Sequence, residues 1–395
     1  MPVDYDHIVL GCGGIGSAAA YWLGKTGTGT VLAIEQYQLG HDRGASEDHS
    51  RIIRHSYHSP TYTALTRAAY DHWRHVEQET GLSLVQVTGG LDVAMAGGTG
   101  ESEINDCAYA LAAQGYPYEI LDGAQLRSRW PQWTVGDDVI GLYQEEGGIL
   151  DIRKANAAHV ALARDHGVSF LMDSPVRRIV SHDDHVEVHT DHEVFRGASL
   201  TVCVGSWTST VLGYLDISLP ITLTQEQVTY FATQNLREFA PNRFPVWIFH
   251  GADKTFFGFP VYGEAAVKAA RDMSGRFITQ EERSWDPDPE QRDEVVEFLA
   301  AYLPSALGPE LMSKKCVHDM PPDRDFILGP LPGHPRVTVF VGAGHAAKFA
   351  SLIGRILADL ASTGETSYPI SAFRVDRPAL TDPDYPSDFR LTVPL

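Results

Sequence analysis

A single thiol at position 316 sits in the stretch LMSKKCVHDMPP (residues 311–322), behind two lysines and ahead of a histidine. Cationic neighbours favour the thiolate, the nucleophilic form of cysteine, so Cys316 reads as a thiol placed to react. A second group of chemical residues opens the chain. GCGGIG (residues 11–16) matches G-x-G-x-x-G, follows an apolar run and precedes a small-residue helical stretch. Gly11 permits the tight turn, Gly13 lets the backbone approach a pyrophosphate, and Gly16 lets helix and strand pack closely, with Gly14 and Ile15 completing the loop. The free N–H groups and positive end of the following helix then face the phosphates. Glu35, with Gln36 after it, closes the next strand, where a carboxylate accepts hydrogen bonds from ribose hydroxyls and repels a 2′-phosphate. The motif does not separate FAD from NAD. A third group, SRIIRH (residues 50–55), holds Arg51 and Arg54, with His41, Arg43, His49 and His55 nearby. In a helix these two arginines would share a face, and a local cation cluster in an acidic chain is a candidate anion site.

The elements that must carry these residues follow from periodicity. Residues 6–10 form a short buried strand, Ser17–Lys25 a helix and residues 30–35 a second strand, together a βαβ unit. Leu65, Ala69, Trp73 and Val76 mark an amphipathic helix over Thr61–Thr80, with Pro60 as its start signal. Asp151–His166 reads as another helix, closed by Gly167, and is followed by strands at Val168–Met172 and Leu200–Val204. A late strand, Val337–Val341, ends in Gly342-Ala343-Gly344 and leads into a helix over Ala346–Leu360. Residues 86–148 and 216–315 alternate instead, which predicts antiparallel strands. The expected fold is α/β. A Rossmann-like, doubly wound βαβ domain takes residues 1–85, 149–215 and 320–395, and an interleaved α+β domain on a mostly antiparallel sheet takes 86–148 and 216–319.

Composition narrows the function. A chain of 395 residues is long for one core and suits two domains. Its formal net charge of −20 repels phosphate backbones and anionic lipid, so neither nucleic acid nor membrane is an expected partner. The four cysteines, Cys12, Cys107, Cys203 and Cys316, show no CxxC pairing, so no metal site or disulfide framework is expected. Free thiols fit a reducing compartment. The acidic N-terminus is no signal peptide, no apolar run reaches the roughly 18 residues of a membrane span, and the terminal LTVPL shows no targeting signal. The expected location is cytoplasmic.

Five stretches carry a resemblance. GCGGIGSAAAYWL, RGASEDHSRIIRHSY, GFPVYG followed by Lys268, KKCVHDMPPDRDFILG and VGAGHAAKFA resemble, in order, motifs of the monomeric sarcosine oxidase family. That family includes N-methyltryptophan oxidase, pipecolate oxidase and the fructosyl amino acid oxidases, FAD-dependent amine oxidases of the D-amino acid oxidase superfamily. The resemblance runs from about residue 4 to FRVDRPAL at 373–380.

The resemblance implies a flavin linked covalently through its 8α-methyl to Cys316. It also makes the βαβ domain the FAD-binding one. It implies that Arg54 and Lys348 hold a substrate carboxylate, a pairing of fork and point charge suited to that group. Lys268 matches the lysine linked to oxygen activation. Arg51 and Ser50 match positions beside the flavin, Val176 an adenine contact, and Gly205 and Trp207 in VGSWTS a segment flanking the cofactor. Gly342, Gly344 and His345 match the pyrimidine end of the ring, and Lys348 counts among the cofactor-binding positions as well. The chain also departs from the pattern: Asp272 stands for a histidine, His318 and Phe257 for tyrosines, and Glu47-Asp48 for His-Gly. Asp272 and His318 are therefore candidate catalytic residues of this chain's own kind. Cys12, Cys107 and Cys203 read as small packing residues.

The implied activity is oxidation of the C–N bond of a carboxylate-bearing secondary amine to an imine by a monomer, with dioxygen reduced to hydrogen peroxide. An oxidase of cyclic imino acids, glycated amino acids or biosynthetic amine intermediates remains open. So do a nicotinamide dehydrogenase and a non-catalytic flavin-binding or partner-binding protein.

Overall fold

The structure, a computed structural model, describes residues 3–273, 275–387 and 389; the terminal LTVPL lies outside them. The apolar run after Asp4 forms the strand Tyr5–Leu10, whose last four residues are fully buried. A strand buried on both faces needs partners on both sides. It pairs in parallel with Val31–Ile34 and with Val194–Val202. These are the centre of an eight-stranded sheet that also holds Val176–Ser181, Val186–Thr190, Ser169–Leu171, Ile327–Leu331 and His334–Val341. The helix Gly14–Thr26 lies on this sheet and packs against Ala350–Thr363. Small residues set that crossing: a Cβ on Gly354 would stand 2.5 Å from Ala18.

A second sheet of nine strands takes the alternating segments. The long strand Glu310–Met320 pairs antiparallel with Thr222–Phe231, which places Cys316 opposite Glu226. Val267–Asp272, Thr255–Phe259 and Val246–His250 continue the sheet antiparallel, while Gly90–Met95 joins Val246–His250 in parallel. Trp133, Trp247, Phe249 and Phe298 fill its core.

Between the two lies a small sheet in which Ser50–Ile53 and Val85–Val87 flank Gly148–Asp151. The basic segment is therefore a strand rather than the helix considered for it. Ile52 and Ile53 are β-branched, and the whole segment finds ladder partners in residues 148–151. Extended backbone puts residues of odd separation on opposite sides, so Arg51 and Arg54 part company. The last predicted helix also begins differently. Ala346–Phe349 is a 3₁₀ turn and the α-helix proper runs Ala350–Thr363. The indole N–H of Trp73 donates to the Lys348 carbonyl at 2.7 Å, tying the helix Pro60–Thr80 to that turn. Among the described residues, no helix is long and apolar enough to cross a membrane.

The glycine turn leaves no room for a side chain. A Cβ on Gly16 would lie 1.8 Å from the Gly11 carbonyl oxygen, and one on Gly11, at φ +83°, 2.5 Å from the Cys203 carbonyl oxygen. Gly16→Ala is therefore expected to lower the thermal midpoint and to leave purified protein depleted of bound dinucleotide. Calorimetry together with the cofactor-to-protein absorbance ratio of the purified protein checks this, and unchanged values would show that the close contact limits neither folding nor cofactor binding.

Candidate active site

One cavity of about 750 Å³ runs from the glycine turn to the face of the second sheet. At its first end lie Gly11, Gly13, Gly14, Ile15, Glu35 and Gln36. Gly16 is not in the wall; it serves the strand–helix contact behind it. Glu35 is buried, and its carboxylate accepts from the N–H of Cys12 at 2.8 Å and of Tyr37 at 3.1 Å. Burial alone would raise its pKa; contact with His41 and those two N–H groups outweigh burial and hold it below the ordinary value. Ser46, unremarked in the sequence, accepts from Gly14 N–H at 2.8 Å. Val176, Gly205 and Trp207 line the same end.

The middle of the cavity is set by Asp48. Its backbone sits at φ +84°, a left-handed conformation that favours glycine and that aspartate tolerates better than most residues. Its carboxylate takes Lys268 Nζ at 2.5 Å and the Tyr230 hydroxyl at 2.5 Å. Lys268, 3% exposed, also donates to Ser50 O at 3.0 Å and Ser50 Oγ at 3.1 Å, and stands over the Phe259 ring. Burial pushes the Lys268 ammonium down to about 8 despite Asp48. Burial works against the Asp48 carboxylate too, but Lys268 and Arg51 overcome it and hold it far below the usual range. Arg51 is spent on the loop, donating to the carbonyls of Ser50, Ala45 and Glu47 at 2.6–2.8 Å.

Cys316 is half-buried in the cavity wall. Alternation puts Lys314, Cys316 and His318 on one face of their strand. Lys314 Nζ reaches Glu47 at 3.3 Å and Asp48 at 3.5 Å, whereas the charged neighbours of Lys315 are Asp288, Arg276 and Asp286. Burial opposes charge on His318, yet the adjoining Cys316, with Glu226 and Asp272, raises it to about 9. His318 thus joins Lys314 as a cation on the sulfur's face of the strand, and Lys268 and Arg283 also lie close enough to feel its charge. His318 fits because Gly344, at φ +77°, has no Cβ; one there would lie 2.5 Å from His318 Nδ1.

The far end gathers the remaining cations. Lys348 Nζ donates to the Tyr57 hydroxyl at 2.6 Å and to His345 O at 3.3 Å. Burial, together with Arg54 and Arg324, lowers it to about 7 against the pull of Asp272. Arg54 does not stand free, as a dedicated carboxylate receptor would. It is paired with the buried Asp92 at 2.5 Å, which also accepts from Ser56 Oγ at 2.9 Å and meets His250 Nε2 at 2.9 Å. Arg54 Nε has no partner. Asp272 ends its strand a quarter exposed and is gripped by Arg324 at 2.9 and 3.0 Å. Burial acts to raise Asp272, but Arg324 and His318 bring it below the ordinary value. Sequence reading missed Asp92 and Arg324. Arg324 was signalled by its place between two acids in PPDRDF, each of which turns elsewhere: Asp323 to Arg377 and Asp325 to Tyr62. Gly342, Gly344 and His345 complete this end.

These features fit an extended dinucleotide such as FAD. The cavity is elongated, its phosphate-side turn is stripped of side chains, and buried polar atoms along its wall lack partners, among them Glu47 Oε2, His318 Nδ1, Arg324 Nε and His345 Nδ1.

Residues 6–360 match the profile of the family described as FAD dependent oxidoreductase. The chain is 30% identical over 380 residues to a monomeric sarcosine oxidase of Streptomyces avermitilis, covering 94% of this chain and 97% of that one. It is 30% identical over 382 residues to an N-methyl-L-tryptophan oxidase of Yersinia pestis, covering 95% and 100%. Among solved structures, NikD, described as an unusual amino acid oxidase essential for nikkomycin biosynthesis, aligns with TM-score 0.82 at 25% identity over 94% of this chain and 98% of that one. L-proline dehydrogenase from P. horikoshii shares the fold at TM-score 0.82 and 17% identity, covering 95% and 97%.

The low Lys348 value gives a pH prediction. Its cationic form is held below about pH 7 and lost above it. An amine-free carboxylate inhibitor is therefore expected to bind more weakly as pH rises through about 7, by up to tenfold per unit once the group is mostly neutral. Lys348→Met should flatten that profile. A slope that survives the substitution would assign the ionisation to another group.

Proposed function

This chain belongs to the FAD dependent oxidoreductase family, and from that premise we propose that it oxidises the C–N bond of a carboxylate-bearing secondary amine of the N-methyl amino acid class. The amine and dioxygen are converted to the imine and hydrogen peroxide. The single observation that carries the reading is the convergence of Arg54, Lys348 and Arg324 at the end of a dinucleotide-sized cavity whose middle holds Cys316 and Lys268. The strands of the first sheet fall in 1–85, 149–215 and 320–395, which we take as the FAD-binding domain, and 86–148 with 216–319 as the substrate domain.

FAD, when bound, supplies the two-electron acceptor and its return to the oxidised state by dioxygen. The residues do the rest. The Lys348 ammonium, with the part of the Arg54 guanidinium not taken by Asp92, holds the substrate carboxylate and so fixes which C–H bond faces the acceptor. Asp92 keeps the Arg54 guanidinium in place and charged. Lys268, buried and held by Asp48, keeps positive charge where reduction of dioxygen builds negative charge. His318 and Lys314 put positive charge on the face of the strand that carries Cys316, the sulfur we assign to an 8α link with the flavin. Glu35 and the glycine turn receive ribose and pyrophosphate.

The Asp272–Arg324 pair favours a second reading of the substrate. This bound ion pair at the substrate end is a departure from the family pattern, and it supports a cyclic or biosynthetic imino acid as the alternative substrate. A peroxide assay across N-methyl amino acids, cyclic imino acids and primary amino acids tests the reading. Turnover of one of the first two classes is expected; turnover of primary amino acids alone would contradict it.

Two variants address the roles. Lys268→Met is expected to slow reoxidation by dioxygen tenfold or more, a loss of at least about 1.4 kcal/mol of transition-state stabilisation, with reduction by substrate little changed. Equal small effects on both half-reactions in stopped flow would remove Lys268 from this role. Acid precipitation is expected to leave the wild-type pellet yellow and a Cys316→Ser pellet white; a white wild-type pellet would show that no covalent link forms.

A further inference from the structure

The hairpin of Val176–Ser181 and Val186–Thr190 lies at the edge of the first sheet, beyond the cavity's dinucleotide end. Its tip and second strand read SHDDHVEVHTDHE (residues 181–193), with four histidines and five carboxylates that the oxidase reading does not use. Alternation buries Val186 and Val188 completely and puts His185, Glu187 and His189 on the other face. His182 arrives from across the turn, its N–H bonded to His185 O at 2.8 Å and its ring stacked on that of His185 at 4.4 Å.

The ligand atoms of His182, His185 and Glu187 all lie within 4.8 Å of one another. His185 Nε2 is 3.8 Å and His182 Nε2 4.0 Å from the Glu187 carboxylate. Two further observations point to a ligand. His185 is 6% exposed, and its Nε2 is buried without a hydrogen-bond partner. Its other nitrogen, Nδ1, is fixed by Asp184 at 2.7 Å, the outer carboxylate contact that orients metal-binding histidines. Arg196 donates to Glu187 Oε1 at 3.0 Å and His189 Nε2 lies 3.3 Å from Oε2, so the carboxylate is already held in place.

We propose that His182, His185 and Glu187 bind one late first-row divalent cation, with water completing the shell, and so staple the hairpin tip. Two imidazoles and a carboxylate suit zinc, nickel or copper(II) rather than magnesium or calcium. Ligand atoms of a tetrahedral zinc site stand about 3.4 Å apart, so the observed separations need only a modest contraction. Cysteine spacing, on which the expectation of no metal rested, carries no information about such a site.

The test is calorimetric titration of tag-free holoenzyme, stripped with chelator and desalted, with zinc chloride. We expect one site of micromolar affinity or tighter, weakened about tenfold or more by His182→Ala and by His185→Ala. Zinc should raise the thermal midpoint of the wild type but not of His182→Ala, and magnesium should do neither. His182 is 41% exposed, and unchanged flavin content of that variant shows that it folds. Absence of zinc binding, or binding equally tight in both variants, would overturn the proposal.

Discussion

A 2.5 Å ion pair between Lys268 and Asp48, closed off from solvent, is the contact around which the cavity is arranged. Taking two charges out of water is costly, and breaking such a pair from one side leaves an uncompensated charge. Here the cost is offset by extra bonds: Ser50 on the lysine, Tyr230 on the carboxylate, and Arg51 holding the loop through three carbonyls. The aspartate also sits where the backbone would prefer glycine. A strained residue persists when its surroundings over-determine it, and these partners do so. The pair joins the loop after the first βαβ unit to a strand of the second sheet, and so registers the two halves of the cavity.

The same logic repeats toward the far end. In a chain of net charge −20, three cations gather at that end. Arg54 is matched by Asp92 and Arg324 by Asp272, whereas Lys348 has only neutral oxygens within hydrogen-bond reach. Of these three the least compensated is thus Lys348, at the end of the cavity opposite the glycine turn, where an incoming carboxylate completes the balance. His318 extends the pattern to the sulfur, in a position that Gly344 makes available.

Local features were legible in the sequence. The glycine turn, Glu35 at the end of the second strand and the helix over Thr61–Thr80 depend on neighbours within a turn or a strand, and pattern reading sees that far. The lone Cys316 among cations stood out for the same reason. Partnerships across the sheets did not. Asp48 meets a lysine 220 residues away, Arg54 an aspartate 38 away, and Arg324 an aspartate 52 away. The helix considered for residues 50–55 failed because its real partner, Gly148–Asp151, lies far along the chain and its ladder overrides local spacing. Asp48 was visible as a departure from a familiar glycine, but only its positive φ and its lysine explain the substitution.

Anaerobic rapid mixing bears most directly on the idea that buried cations select an amine by its carboxylate. The flavoprotein would be mixed with an N-methyl amino acid and, separately, with the same secondary amine lacking its carboxylate. The account predicts bleaching of the flavin by the first at a rate at least a hundredfold above the second, about 2.7 kcal/mol of positioning by the cationic end. Equal rates, or no bleaching by any carboxylate-bearing amine, would contradict it.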